Sequence, residues 1–466
     1  MGCILRQLNS FSHPAKLELK HAACYWVAGS KINGERPILL NHICAIAPQI
    51  SQLTADKFSP ERLVPCFMRA NVPEHLRAEH PFLERRPERS DDVLATALSA
   101  TPLDDLSRNV FGVLGLPLDV LDVQGLLQRI DYVVGARTPF LLSTPNVNFL
   151  MTSRSDPEFR ESLLMSDLCP VDGMPLVWIA RLLGIPLRER LSGSDIFDAL
   201  KSREAAGRKL KVFLFGGSEG VAVKLCQKLN REAIGVTCVG VLNPGFGSVA
   251  EMSCDPILHK INASDADLLT VFLSAQKAQA WLLRNHDRLE IPFRAQFGTT
   301  INLQAGSVKR APVFVRKLGF EWLWRIKEEP YLWRRYWNDG LRLLSLFVTC
   351  VLPLAVGNLV SRLAGSDDLA IDRNEGPQSV LIKLSGCAIK RHIDAAITCF
   401  QSALDTRKLI VVDVSNISAI DPRFFGLLLM LRKRSVRQGS GLELVNATSR
   451  VRTTFRLNGF EFLLSR

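Results

Sequence analysis

Between about residues 106 and 306, short apolar runs that end in glycine, proline or asparagine alternate with stretches of helical character. Pro139-Phe-Leu-Leu-Ser-Thr144 is one such run and Lys211-Val-Phe-Leu-Phe-Gly216-Gly217 the next. Val236-Thr-Cys-Val-Gly-Val-Leu242 is broken by Asn243-Pro-Gly-Phe-Gly247, and Asp267-Leu-Leu-Thr-Val-Phe-Leu273 follows. Val221 to Leu229 and Ala275 to Asn285 read as helices between them. Runs this apolar suit strands buried on both faces, and their alternation with helices predicts an α/β class domain with a largely parallel sheet. Ligands of such sheets bind beyond the carboxyl ends of the strands, where these loops lie.

The 466 residues are long enough for roughly three domains. A hydrophobic fraction of 47% with 22% charged residues excludes a mainly disordered chain. The net charge of +12 favours anionic partners such as phosphates or a lipid surface. Eleven scattered cysteines without a CxxC argue for a reducing cytoplasm over a secreted disulfide scaffold or a zinc site. The start holds no secretory apolar run, and Arg6 breaks the lipidation pattern that Met-Gly-Cys would open. Residues 1–105 read as an extension with no functional signal, including a candidate small domain at about 20–70 and a solvated stretch at Glu84 to Arg89.

The 307–365 segment differs in character. From 307 to 342 there are nine basic against four acidic residues, together with Trp322, Trp324, Trp333 and Trp337. Cations mixed with tryptophan suit an anionic membrane interface. They would also suit nucleic acid. The nineteen uncharged residues Leu343 to Ser361 approach the length that spans a bilayer, although Pro353 and Gly357 weaken a straight helix. This favours a membrane-inserted or surface-lying segment and counts against nucleic acid. Residues 366–378 are polar and read as a linker. Residues 379–466 form a compact alternating unit, with strands expected at Ser379 to Leu384, Leu409 to Val414 and Leu442 to Val445, and helices at 393–404, 425–437 and 451–457.

Several pieces of the chain, in order, are Thr144-Pro-Asn146, Val171-Asp172-Gly173, Arg190-Leu-Ser-Gly193-Ser-Asp195 and Phe215-Gly216-Gly217. Arg310-Ala-Pro312 and Gly319-Phe-Glu321-Trp322-Leu-Trp-Arg325 follow, then Glu329-Pro330 and Arg334-Arg335-Tyr336. Their order and spacing resemble the WecG/TagA/CpsF glycosyltransferases, family 26 of that enzyme class. The resemblance implies a Rossmann-like parallel-sheet core over 106–306. It also implies inverting transfer of a sugar from a UDP-sugar to a polyprenyl-diphosphate-linked acceptor. Cell-surface or exopolysaccharide biosynthesis in a bacterium is the expected setting, on the cytoplasmic face of the membrane, peripheral or monotopic.

Inverting transfer needs a base for the acceptor hydroxyl. The resemblance makes Asp172 that base, although an Asp-Gly pair is also ordinary turn chemistry. It assigns substrate contacts to Thr144, Asn146, Arg190, Gly193 and Asp195. Gly216 and Gly217 would let backbone N–H groups approach a diphosphate at a helix start. Arg310, Arg325, Arg334 and Arg335 are the cations available to a leaving UDP, or to lipid headgroups. No cofactor is implied. Asp265-Ala-Asp267 has the DxD form of metal-dependent transferases, but Asp267 reads as a strand-start residue, and no metal is expected.

Two departures bear on this. The family has Pro-Lys-Gln-Glu where this chain has Gln276-Lys277-Ala278-Gln279, and an aspartate in a Gly-Gly-x-Phe-Asp stretch where it has Asn302. They motivate an alternative, a catalytically degenerate membrane scaffold. Asp413-Val-Ser415, Ile420-Asp421 and Gly426-Leu427 make 379–466 similar to a STAS domain, a small α/β module. Pro422-Arg423-Phe424 stand where that family places its switch serine, so the phosphorylation switch is expected to be absent. Contact with a protein partner is expected instead, with Phe424 or Phe425 either exposed at a helix start or packed in the core.

Overall fold

In a computed structural model of the chain, the described residues are 104–466 apart from 205–207, 219, 299, 307, 318, 365–367 and 466. The readings of the 1–105 extension lie almost wholly outside them. The chain divides between Thr96 and Ala97, and the described residues all belong to the second unit.

That unit opens with an antiparallel hairpin, β1 (Val110–Val113) and β2 (Leu116–Asp119). Then follow α1 (Val123–Ala136), β3 (Phe140–Leu142), α2 (Val147–Ser155), α3 (Pro157–Leu164), α4 (Met174–Leu182) and α5 (Gly193–Ser202). The alternation continues with β4 (Leu210–Gly216), α6 (Val221–Glu232), β5 (Val236–Leu242), α7 (Asp255–Asn262), β6 (Leu268–Phe272), α8 (Ala275–Arg284), β7 (Phe293–Gln296) and α9 (Thr300–Ala305). The five strands from β3 to β7 make one parallel sheet in the order β3-β7-β6-β4-β5. Every residue of β3, β6 and β7 is buried, as a sheet covered on both faces requires.

This order has a consequence for the site. From β4 the chain moves outward to β5, then returns to the other side of β4 for β6. The carboxyl ends of β4 and β6 therefore flank a switch point, the usual crevice for a ligand in such sheets. A further extended segment runs parallel beside β3: Leu168 bridges Leu142, and Pro170 bridges Asp119. Asp172 follows at its carboxyl end. Cys226 on α6 and Cys238 on β5 are joined by a disulfide, which their scattered spacing did not signal.

Beyond the sheet come α10 (Val313–Lys317), α11 (Glu321–Glu328), α12 (Trp333–Leu346), a π turn at Phe347–Val351, and α13 (Leu352–Ala364). The π turn immediately precedes Pro353, which has no N–H to continue a regular ladder. Pro330–Asn358 is long and apolar enough to cross a membrane by length and composition. Leu346, Cys350 and Val351 are nonetheless buried against Phe149, Val177 and Ala180 of the sheet domain. Asn148 reaches Asp339 at 3.4 Å, and Asn358 reaches the Leu183 carbonyl at 3.4 Å, so the helix lies along that domain over its length. Its opposite side exposes Trp333, Trp337, Leu341, Leu344, Val348, Leu352 and Val356, one stripe at three- and four-residue steps.

The last unit comprises β8 (Ala370–Glu375), β9 (Ser379–Ala388), α14 (Ile393–Asp405), β10 (Leu409–Ile420), α15 (Pro422–Gln438), β11 (Leu442–Val445) and α16 (Ser449–Leu457). Its sheet order is β11-β10-β9-β8, with β8 antiparallel at the edge. The 366–378 stretch read as a linker thus holds a strand. β8 is exposed along nearly its whole length, so its side chains carry no apolar alternation and only backbone pairing with β9 defines it. Asp421 caps α15, its Oδ1 accepting the Phe424 N–H at 2.8 Å, and Pro422 occupies the first turn. Phe424 and Phe425 are both fully buried. Phe424 packs edge-on to Phe400 inside the unit. Phe425 stacks on Phe460 and lies against Gly112 of the hairpin. Leu106, Val110 and Leu164 of the sheet domain join the same core cluster.

Candidate active site

Asp172 ends the extended segment beside β3, and Gly173, at φ 106, turns the chain into α4. That left-handed value is one only glycine adopts cheaply. The Asp172 N–H donates to the Pro145 carbonyl at 2.8 Å, which fastens this turn to the loop after β3. In that loop Asn146 caps α2, its Oδ1 accepting from Phe149 N–H at 3.2 Å. Two helix starts, α2 and α4, therefore meet at Asp172, and both present N–H groups suited to negative charge. Thr144 is buried at the end of β3, while Asn146 and Asp172 are part-exposed.

Among the described residues the Asp172 carboxylate has no hydrogen-bond donor. Burial pushes its pKa up to about 7, and Glu321 and Asp195 add to the rise against Arg190 and Arg325. A carboxylate poised near neutrality is what proton abstraction at cellular pH requires.

Arg190 and the first turns of α5 supply the neighbouring charges. Ser192 caps α5 in a reciprocal box with Asp195. Arg190 reaches Asp195 at 3.1 Å and Glu321 at 2.5 Å, and so ties the start of α5 to the segment beyond the sheet. Arg310 pairs with Asp195 and Asp198 and contacts Ser194 at 3.2 Å. Arg316 adds a third contact to Asp195 at 3.2 Å. The Asp195 carboxyl is held below the usual range although burial opposes this, because Ser192, Arg190 and Arg310 all stabilise the anion. Gly319 sits so closely on α4 that a Cβ there would lie 3.0 Å from Met174. The 310–325 segment is thus a roof over the start of α4.

Gly216 and Gly217 occupy the switch point, with φ 91 and 89, and Gly217 N–H donates to the Phe272 carbonyl at 3.1 Å. A Cβ at Gly217 would strike Ile301 at 2.6 Å, and one at Gly193 would strike Phe297 at 2.9 Å. α9 therefore wedges between the glycine loop and the first turns of α5. Gly220 starts α6 at φ 74 with open space around it.

Asp172, Thr144 and Asn146 come together at one loop junction, and Arg190, Gly193, Asp195 and Arg310 at the adjoining one. Arg325 lies near enough to influence Asp172, while also pairing with Glu329 at 3.1 Å. Arg334 and Arg335 are exposed on α12 and lie over Trp333 and Tyr336 respectively. Glu321, Arg316 and Asp198 were not singled out as site residues. Only Glu321 had a signal, standing inside the Gly319–Arg325 motif.

Gln279, at one of the two departures, is fully buried and donates to Ser143 Oγ at 2.8 Å. It braces the end of β3 from inside. Asn302 lies on α9 beside Ile301. Asp267 is buried at the amino-terminal end of β6, bound by Arg208 at 2.7 and 2.9 Å and by Lys211 N–H. It stands at the opposite end of the sheet from Asp172.

Residues 371–465 match the MlaB-type STAS domain model. The unphosphorylated anti-sigma factor antagonist SpoIIAA is a similar solved structure, 18% identical over 21% of this chain and 86% of its own, with a TM-score of 0.19. An N-acetylglucosaminyldiphosphoundecaprenol N-acetyl-beta-D-mannosaminyltransferase of Bacillus spizizenii is 26% identical over 45% of this chain and 77% of its own length. The Bacillus subtilis protein of the same name is 24% identical over 44% and 77%. The glycosyl transferase WecG/TagA/CpsF model covers residues 111–355, more than half of the chain, and this protein belongs to that family of enzymes.

Proposed function

We propose that this enzyme transfers a sugar, with inversion, from a UDP-sugar to a hydroxyl of a polyprenyl-diphosphate-linked acceptor in cell-surface or exopolysaccharide synthesis. The observation that carries the reading is Asp172, a carboxylate without a hydrogen-bond donor among the described residues and with a pKa pushed up by burial to about 7, at the carboxyl edge of the sheet. Asp172 takes the proton of the acceptor hydroxyl as its oxygen bonds to the anomeric carbon. The bond from that carbon to the UDP oxygen breaks, and the electron pair leaves with UDP. The glycine loop at 216–220 receives the diphosphate, and Arg190, Arg310 and Arg325 supply fixed positive charge to the leaving group. Thr144 and Asn146 orient the reacting sugars. The relatives' names point to an N-acetylhexosamine donor and a lipid-diphosphate N-acetylglucosamine acceptor as the first pair to test.

The exposed stripe on α12 and α13, with Arg334, Arg335 and Arg342, lies flat on the cytoplasmic face of the membrane. A helix packed on its own domain along its length suits this monotopic placement better than crossing. The remaining STAS surface, including the β8 edge, is available to a protein partner.

The test is a panel of labelled UDP-sugars with a polyprenyl-diphosphate N-acetylglucosamine acceptor, in vesicles with and without anionic lipid. Transfer from at least one donor, stronger on anionic vesicles, is the expected result. No transfer from any donor, with vesicle binding intact, would leave the scaffold reading in its place.

A further inference from the structure

Helix α15 has two working faces. Phe424, Leu427, Leu428 and Leu431 join the core of the STAS unit. Arg423, Gly426, Met430, Lys433 and Arg437 recur at three- and four-residue steps, so they form one stripe. Every member of that stripe meets the transferase. Arg423 donates to the Val110 carbonyl at 3.2 Å, and Met430 Sδ lies 3.2 Å from Arg108 Nη1. Lys433 has no exposed side-chain surface and places Nζ 2.8 Å from Asp105, 2.7 Å from Asp167 and 3.0 Å from the Ser166 carbonyl. Arg437 reaches Asp167 at 2.9 Å and the Met165 carbonyl at 3.3 Å.

These contacts converge on the segment that leads to Asp172. Asp167 Oδ2 accepts the Leu141 N–H at 2.9 Å, while the Asp167 N–H donates to the Leu141 carbonyl. The Cys169 N–H donates to Asp119 Oδ2 at 2.6 Å, and Arg108 grips that same carboxylate at 2.8 Å. Residues 165, 166 and 167 are thus fastened directly to α15, and Cys169 through Asp119 and Arg108 in turn. The lysine cannot let go singly, because a buried charge without its partner is costly. The interface opens or closes as a unit.

The geometry points to the STAS unit as a built-in positioning element of the transferase. α15 clamps the 165–169 segment against β3 and so fixes Asp172 relative to the loop after β3, with Lys433 as the positioning residue. The catalytic half of this rests on Asp172 acting as the base. The STAS fold here takes its own chain's transferase as a partner.

Gly426 offers a selective wedge. A Cβ there would lie 2.0 Å from the Val110 carbonyl oxygen, and the next nearest atoms, the Val110 carbonyl carbon and the Phe111 nitrogen, also belong to β1. Gly426→Ala should therefore part the two units while favouring the helix itself. In the full chain, hydrogen exchange of peptide 165–173 is expected to rise about tenfold or more, with β4 (210–216) and β10 (409–414) at wild-type rates. Lys433→Met should reproduce this pattern if the wedge is absorbed by a small shift. With the donor found by the panel, kcat should fall about tenfold to a hundredfold. KM for the UDP-sugar should stay within about twofold, because only the base is displaced. Unchanged exchange at 165–173 in both variants would overturn the inference, as would a rise shared equally by 210–216. So would an unchanged kcat alongside the faster local exchange. The exchange arm needs no turnover. A wild-type chain that transfers no sugar would therefore remove the proposed reaction and leave exchange alone to decide the clamp.

Discussion

Asp167 and Asp172 stand at the two ends of one extended segment, and their surroundings make them opposites. Asp167 is met by Lys433 and Arg437 on one oxygen and by the Leu141 N–H on the other. Burial would raise its pKa, but Lys433 and Arg437 outweigh burial and hold the carboxyl well below the usual range. Asp172 accepts no hydrogen bond among the described residues, and burial carries it to about 7. A carboxylate whose oxygens are all engaged is spent on structure. One left unengaged in the same low-dielectric ground keeps its proton exchange for chemistry.

The same substitution at both positions tests this contrast. Asp172→Asn should lower transfer by about 10²- to 10⁴-fold, the usual share of a general base, with the thermal midpoint and UDP binding near wild type. Wild-type-like turnover would remove Asp172 from the mechanism. Asp167→Asn should act in the reverse sense. It leaves Lys433 buried beside one carboxylate instead of two, a loss on the scale of about 3–5 kcal/mol when a buried pair is broken, read by chemical denaturation. If the two variants behaved alike in both assays, the division between a structural and a chemical carboxylate would fail.

The sequence disclosed these two aspartates unequally. Asp172 was legible because it sits in a short motif at a strand end, followed by a glycine that a left-handed turn requires. Asp167, Asp105 and Asp119 carried no signal, since each is defined by partners far along the chain. The parallel sheet was legible because strands buried on both faces are uniformly apolar. β8 was not, because an exposed edge strand shows no alternation. Lys433 and Arg437 carried no signal either, since charged residues of a helix ordinarily line its solvated side. Only the arrival of a second acidic surface made them interior, and no periodicity within α15 could announce that.

The pH dependence of turnover sharpens the contrast further. With the base near 7, kcat/KM should climb about tenfold per pH unit on the acid side and level off above about 7, as the Asp172 carboxylate fills. The protection factor of peptide 165–173, its exchange divided by the intrinsic base-catalysed rate at each pH, should stay flat over that window, because Asp167 is ionised throughout it. A protection factor that changes in parallel with turnover would mean that the clamp, and not the base, titrates.

The smallest effect expected is on stability. The Asp172 pKa rises from an ordinary 3.8 to about 7 on folding, so between those values the folded chain holds a proton that the unfolded chain releases. Stability from this group is complete below 3.8 and is lost as pH rises through about 7. Asp167 has the opposite sign: its contribution stands above the ordinary carboxylate range and disappears only on further acidification. With the folded carboxyl at about 7, linkage sets a loss of about 2–3 kcal/mol between pH 5 and 8, read by chemical denaturation. Burial raises the Asp421 carboxyl as well, which adds a contribution of the same sign. The informative quantity is therefore the wild-type curve minus that of Asp172→Asn. A difference curve that declines through about pH 7 assigns the raised pKa to Asp172, and a flat one would place the proton elsewhere in the cluster with Asp195 and Glu321.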